Sequence, residues 1–171
     1  MKKIRVAESN EWLLIKQHAD QIYFKYEKDF WKEGYYRISK KDCLNAIKNK
    51  ELFVFEENKQ IIGFVLIKKN NTNLRFSMLT VIDKKQKNGY GRELLNLIIK
   101  KAKTEKLQII SIEILCPKKW IPPQKEFLIN WYEKNGFKFV KDFSFLNLYP
   151  EHKKFMKCDL IFKKYEKILS Q

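Results

Sequence analysis

The residues that first suggest chemistry, by type and by spacing, lie in one short stretch, Gln86-Lys87-Asn88-Gly89-Tyr90-Gly91-Arg92. It stands between an apolar run, Leu74 to Ile82, and a helical pattern marked by Leu94, Leu95, Ile98 and Ala102. Two glycines therefore fall at a strand-to-helix turn, where positive φ is allowed and no Cβ stands between backbone and ligand. Free N–H groups and the positive end of the helix dipole at such a start attract an anion, and a phosphate suits them best. Plain turn chemistry accounts for the same two glycines. The spacing excludes G-x-x-x-x-G-K-[ST], and there is no third glycine at the dinucleotide spacing. The remaining candidates for acid-base work are sparse. Glu113 lies in a strand pattern between Ile112 and Ile114, which point the other way, so burial there would raise its pKa and make it a candidate base; a structural ion pair is the competing reading. His18 and His152 are the only histidines and read as structural. Cys43, Cys116 and Cys158 are widely spaced, form no C-x-x-C pair and read as reduced packing residues. No metal site is expected.

Around this stretch the chain reads as strand, two helices, three strands, helix, strand, helix, two strands. A short strand over Lys3 to Glu8 is followed by a helix that Asn10 can cap, and Ser39, three residues before Asp42, opens a second helix through about Asn49. Leu52 to Glu56 and Gln60 to Lys68 form a hairpin across Glu56-Glu57-Asn58-Lys59, and Leu74 to Ile82 extends it to a meander. The loop helix ends near Lys106. Leu107 to Leu115 is the next strand, so that strand, helix, strand implies a parallel crossover. Pro117, Pro122 and Pro123 impose a stiff loop before a helix from Gln124 to Lys134, with Phe127, Leu128, Trp131 and Tyr132 on one side. Phe137 to Phe145 and Phe155 to Phe162 are expected as the last two strands, with a basic tail carrying Tyr165, Ile168 and Leu169 packing as a final turn or fraying. The order specifies an α/β fold with a mixed, mostly antiparallel sheet of about seven strands and about four helices.

The loop Q-x-x-G-x-G, preceded by Leu79-Thr80-Val81, resembles the acyl-CoA diphosphate loop of the GNAT superfamily of N-acetyltransferases. Trp131-Tyr132-Glu133-Lys134-Asn135-Gly136-Phe137 resembles the second signature of that family, a helix ending in Y-E-K-x-G-F, in the right order and at the usual separation. The resemblance covers essentially the whole chain. It implies a single GNAT domain over 1–171, acetyl-CoA as co-substrate, and direct transfer of acetyl to a primary amine. It also implies cofactor contacts from Leu79, Thr80, Val81, Gln86, Lys87, Asn88, Gly89, Tyr90, Gly91 and Arg92, largely through backbone donors, and a general acid at Tyr132. The general base has no family counterpart here, because Arg75 and Ser77 offer nothing equivalent to the usual glutamate; Glu113 or a water chain remains. The asparagine that usually opens the tyrosine helix is replaced, with Gln124 and Lys125 near its place. In this fold the region between the first two helices walls the acceptor site, so the aromatic and acidic residues of Ile22 to Tyr36 suit an amine, although most of those rings are expected in the core.

Composition sets the outer limits. The 171 residues are 44% hydrophobic and 15% aromatic with 5 Gly and 4 Pro, a globular composition long enough for one real core. No run approaches the roughly 20 apolar residues a membrane span needs, and Met1 to Arg5 enters a strand pattern, so the cytoplasm is the expected compartment. Lys and Arg total 36 against 20 Asp and Glu, a net charge of +16. That excess is dispersed lysine on solvated faces, or it serves a nucleic-acid, ribosomal or acidic partner; arginine is confined to Arg5, Arg37, Arg75 and Arg92. The acceptor is then a small-molecule or peptide amine, or an amine carried on nucleic acid such as aminoacyl-tRNA. A module that binds CoA without catalysis is the remaining alternative. A monomer or homodimer is expected.

Overall fold

A computed structural model describes residues 1–170. One mixed sheet holds seven strands, β1 (Lys2–Val6), β2 (Leu52–Glu57), β3 (Gln60–Lys69), β4 (Asn73–Val81), β5 (Ile109–Pro117), β6 (Lys138–Ser144) and β7 (Leu160–Ile168), in the spatial order β1-β2-β3-β4-β5-β7-β6. Among the described residues only the β4–β5 pair runs parallel. The α-helices are α1 (Trp12–Glu27), α2 (Lys40–Lys48), α3 (Tyr90–Thr104) and α4 (Pro123–Lys134).

Local chemistry places most of these elements where the sequence puts them. Asn58 and Lys59 both take positive φ, 50° and 64°, and so make the tight turn that joins β2 to β3. Ser39 caps α2, its Oγ accepting from the Asp42 N–H at 3.0 Å while donating to the Asp42 carboxylate at 2.6 Å. The first helix starts differently from expectation. Asn10 makes no cap; it lies inside a 3-10 turn, Ser9–Glu11, whose capping box is formed by Glu8 and Glu11. The last strand is also displaced. Pro150–Phe155 is a 3-10 helix, and the basic tail forms β7, wedged between β5 and β6. Its lysines conceal the strand pattern because they are satisfied sideways: Lys163 binds Asp142, Lys164 binds Glu166 and Lys167 donates to the Asn135 carbonyl. Leu160, Phe162 and Tyr165 are the side chains that bury.

The two faces of the sheet carry different helices. On one, α3 and α4 pack Leu94, Leu95, Ile98, Ala102, Ile129 and Tyr132 onto Phe55, Val65, Phe76, Ile112 and Ile114. On the other, Ile15, Ala19, Cys43, Ala46 and Ile47 of α1 and α2 cover Leu52, Val54, Phe64 and Met78. A third cluster, Phe30, Trp31, Leu115, Phe145, Leu160 and Phe162, closes the end of the sheet. The rings between α1 and α2 thus divide: Phe30 and Trp31 are core, whereas Phe24 and Tyr36 are exposed.

One irregularity positions the site. The β3–β4 register slips by a residue between Phe64 and Leu66, and opposite the slip Met78 takes φ 54°. This is a β-bulge, which bends the strand that carries it. On its other edge β4 pairs with β5 only from Asn73 to Arg75, against Ile109 to Ser111. Beyond that point the strands part, leaving β4 from Phe76 to Val81 and β5 from Ile112 to Pro117 without a ladder between them.

Candidate active site

The glycine loop leaves the open end of β4. Lys87 and Gly89 take positive φ, 64° and 84°, and Gly89 is the N-cap of α3. Side chains brace the turn from within: Gln86 Nε2 donates to the Val81 carbonyl at 3.0 Å and to Asp83 at 3.1 Å, and Asn88 Nδ2 donates to the Gln86 carbonyl at 3.1 Å. Below it Tyr90 is buried, its hydroxyl donating to Glu57 at 2.7 Å. Lys85 also bonds to Glu57, and these two contacts hold that carboxyl below its ordinary pKa. The side chains of Gln86 and Tyr90 are therefore occupied in building the turn, and only their backbones remain for a ligand.

Among the described residues, none of the N–H groups of Lys87, Asn88, Gly89, Tyr90, Gly91 and Arg92 donates to a protein acceptor; the first satisfied one is Glu93, on the Gly89 carbonyl at 3.1 Å. A Cβ built on Gly89 would meet nothing within 4 Å. Unpaired donors, open space and the positive end of a helix make a cradle for diphosphate oxygens. Thr80, buried, turns its hydroxyl to the Met78 carbonyl at 3.1 Å, while Leu79 and Val81 are half-buried along the unpaired edge of β4.

Tyr132 lies on the inner face of α4 with Lys125 and Ile129. Phe127, expected on that face, is exposed; Lys125 takes the inward position because its charge is matched there. The Tyr132 ring is 3% exposed, packed against Phe76, Trp131 and Phe137. Burial first, and the neighbouring Tyr23 second, raise its pKa well above the usual phenol value. Its hydroxyl has no hydrogen-bond partner among the described residues, so it is a neutral donor available to a ligand.

Opposite α4, on the α1 and α2 face, a cavity of about 600 Å³ lies over the point where β4 and β5 part. Arg75, Ser77, Met78 and Glu113 line it from the strands, and Tyr35, Tyr36, Tyr149 and His152 from the loops above. Glu113 points away from Ile112 and Ile114, as the alternation requires, and its side chain is 12% exposed. It forms an ion pair with Arg75 Nη2. His152, structural by the sequence reading, is also placed here, its Nδ1 buried without a hydrogen-bond partner and its ring edge-on to Tyr35.

A buried charge cluster joins the two sides of the site, and its one signal in the sequence is an acidic residue among aromatics. Glu27, fully buried at the end of α1, accepts from Lys125 Nζ at 2.6 Å and from Trp31 Nε1 at 3.0 Å, with Arg37 at 3.8 Å. Burial alone would raise the Glu27 carboxyl; Lys125 and Arg37 together outweigh it and hold the group below the usual carboxylate range. Since α1 and α4 lie on opposite faces, their side chains can meet only beyond the paired part of the sheet. Among the described residues no group of three or more His, Cys, Asp or Glu gathers as for a metal, and no helix is long and apolar enough to cross a membrane.

Comparison with known proteins decides the family. A family model described as the acetyltransferase (GNAT) domain matches residues 24–145. The chain belongs to the GNAT acetyltransferase family. Its fold is similar to that of the PaiA N-acetyltransferase of Thermoplasma acidophilum in complex with coenzyme A, at 18% identity and TM-score 0.74 over 99% of each chain. It is also similar to Ard1 of Thermoplasma volcanium, at 13% and 0.72 over 99% of each chain. The ribosomal-protein-S18-alanine N-acetyltransferase of Escherichia coli matches at 16% and 0.66 over 100% of this chain and 96% of that one. No curated protein sequence matches this GNAT chain significantly. The α/β fold with its mixed seven-stranded sheet is that of GNAT structures, and the family is one of acetyl-CoA-dependent acetyltransferases.

Proposed function

We propose that the protein is an N-acetyltransferase moving acetyl from acetyl-CoA to a primary amine by direct transfer in a ternary complex, with residues 1–171 working as one domain. The observation that carries the reading is the row of unpaired N–H groups from Lys87 to Arg92 at the head of α3, at one end of the open edge of β4, with the Tyr132 ring packed on Phe76 at the other end of that edge. Those amides, with Lys87 and Arg92 adding charge, hold the diphosphate. The free edge from Leu79 to Val81 offers backbone groups to the pantetheine arm and to the thioester carbonyl.

Acetyl-CoA supplies the acyl group as a thioester; the protein supplies the proton management. An acceptor ammonium gives one proton to a base, here Glu113 or water leading to solvent, and its nitrogen becomes nucleophilic. The new C–N bond forms as the C–S bond breaks. The nitrogen sheds its second proton, and the departing thiolate takes one from Tyr132, which is kept neutral by burial. Tyr132 regains its proton from the nitrogen or from water, leaving an amide, a free thiol and one proton in solution.

The net charge of +16 favours a second reading, in which the amine is carried on an aminoacyl-tRNA or a ribosomal protein. A thiol-release assay with acetyl-CoA across amines, peptides and charged tRNA, with products identified by mass, tests both. Acetylated product from a free amine or peptide supports the first, and product confined to the tRNA arm supports the second. Failure to bind acetyl-CoA would remove both. The cytoplasm, where the free thiols of Cys43, Cys116 and Cys158 stay reduced, is the compartment we assign.

A further inference from the structure

Two polar atoms at the cavity, Arg75 Nε and His152 Nδ1, are each buried without a hydrogen-bond partner among the described residues, and Glu113 Oε2 meets only the Arg75 guanidinium. Arg75 and Glu113 touch each other through Nη2 and Oε2 as an ion pair, and the Arg75 Nε–H is left over beside it. They stand on neighbouring strands at the apex of the gap, since Arg75 pairs in register with Ser111 and Glu113 is the next residue on the same face. The floor of the cavity is therefore a dipole, positive on β4 and negative on β5.

The ligand chemistry follows from what each class of acceptor would do to that dipole. A polyamine could satisfy Glu113 only by leaving the Arg75 guanidinium facing a second cation. An acid without an amine would strand Glu113, and stranding a buried charge is costly. A molecule with an ammonium and an oxyanion close together replaces one ion pair by two. The rest of the lining agrees. Asp42, Glu51 and Glu151 add negative charge, Arg37 and Lys68 add positive charge, and the cavity comes close to balance on a chain whose net charge is +16. Tyr35, Tyr36 and Tyr149 wall one part of the cavity with rings, while Ser39, Asn45 and Asn49 line another part with polar groups.

Resting on the acetyltransferase reading, we propose that the acceptor is a free α-amino acid with a large apolar or aromatic side chain, its ammonium on Glu113 and its carboxylate on Arg75. Binding opens the Arg75–Glu113 pair and inserts the zwitterion between its members. Glu113 is then both the counter-ion of the ammonium and the group nearest to its proton, while the side chain fills the ring-walled part of the cavity.

The test is a matched panel at saturating acetyl-CoA: tryptophan, phenylalanine and leucine, the α-amide of each, and spermidine, with acetyl-CoA binding followed separately by calorimetry. The free acids are expected to exceed their amides in kcat/KM by about tenfold or more, the scale set by one charge-assisted contact. In Arg75→Gln that ratio collapses, mainly through KM for the acids, and Arg75→Lys restores part of it. Amides or spermidine acetylated as well as the acids by the wild-type protein, or an acid-to-amide ratio unmoved in Arg75→Gln, would overturn the inference and leave the acetyltransferase reading intact. Loss of acetyl-CoA binding in the wild type would instead overturn that reading and the inference with it.

Discussion

A phenol in a dry pocket is a poor acid toward water and a useful one toward a thiolate, because it stays neutral until charge develops beside it. Tyr132 meets that description through burial, and its hydroxyl is not committed to a protein acceptor. Tyr132→Phe keeps the ring packing against Phe76 and Phe137 and removes only the donor. Turnover is expected to fall by about 10²-fold, the usual scale for a lost acid, with the Kd for CoA changed less than about twofold; titration calorimetry beside steady-state kinetics separates the two. Gly89→Val acts on the other half of the site. The φ of 84° is costly for a branched residue, and the new side chain would project into the space open beside the unpaired amides. Calorimetry should show CoA affinity reduced by at least about 30-fold, close to 2 kcal/mol. The places of the glycines and of Tyr132 were legible in the sequence because a glycine turn and a helix stop each mark a residue type at a fixed offset from a helix end. Arg75 opposite Glu113, and Lys125 opposite Glu27, were not, since these pairs join positions far apart in the chain and depend on where the sheet opens.

Elements were legible where short-range patterns decide them. The hairpin at Asn58-Lys59, the Ser39 cap and the glycine start of α3 carry their own signals. The displaced β7 shows the converse: a strand whose polar face is lysine reads as a tail until Asp142, Glu166 and the Asn135 carbonyl are brought to it. The Glu27–Lys125 contact is of the same kind and locks α1 to α4 beside the gap. Removing one member of a buried pair leaves the other uncompensated, so Glu27→Gln is expected to destabilise the fold by about 3 kcal/mol in urea at pH 7. The pH dependence has a definite sign. The folded carboxyl lies below its unfolded value, so its contribution is complete above the usual carboxylate pKa and is lost as pH falls through the folded value. Urea midpoints of wild type and Glu27→Gln should therefore differ fully at pH 7 and draw together below about pH 4.

Across the whole molecule the positive charge is unevenly useful. Around the glycine loop, Lys25 and Lys85 are tied to Asp83 and Glu57, whereas Lys84, Lys87 and Arg92 stand exposed and in no ion pair among the described residues. Under the proposed function those three, added to the field of a chain at +16, would draw a phosphate-bearing co-substrate toward the head of α3. The cavity over β4 and β5 mixes both signs and presents little net field at a distance. Salt should separate the two sites. Screening shortens the reach of exposed charges from about 10 Å at 0.1 M to about 3 Å at 1 M, while contacts inside a cavity are screened far less. Raising potassium chloride across that range is expected to increase KM for acetyl-CoA several-fold and to change KM for a small amine acceptor by less than about twofold. Neutralising Lys84 and Lys87 together, as Lys84→Gln and Lys87→Gln, should flatten the acetyl-CoA dependence without touching the acceptor. If the acceptor KM instead climbs as steeply as that of the co-substrate, the acceptor is itself a polyanion, and the basic surface serves to recruit it.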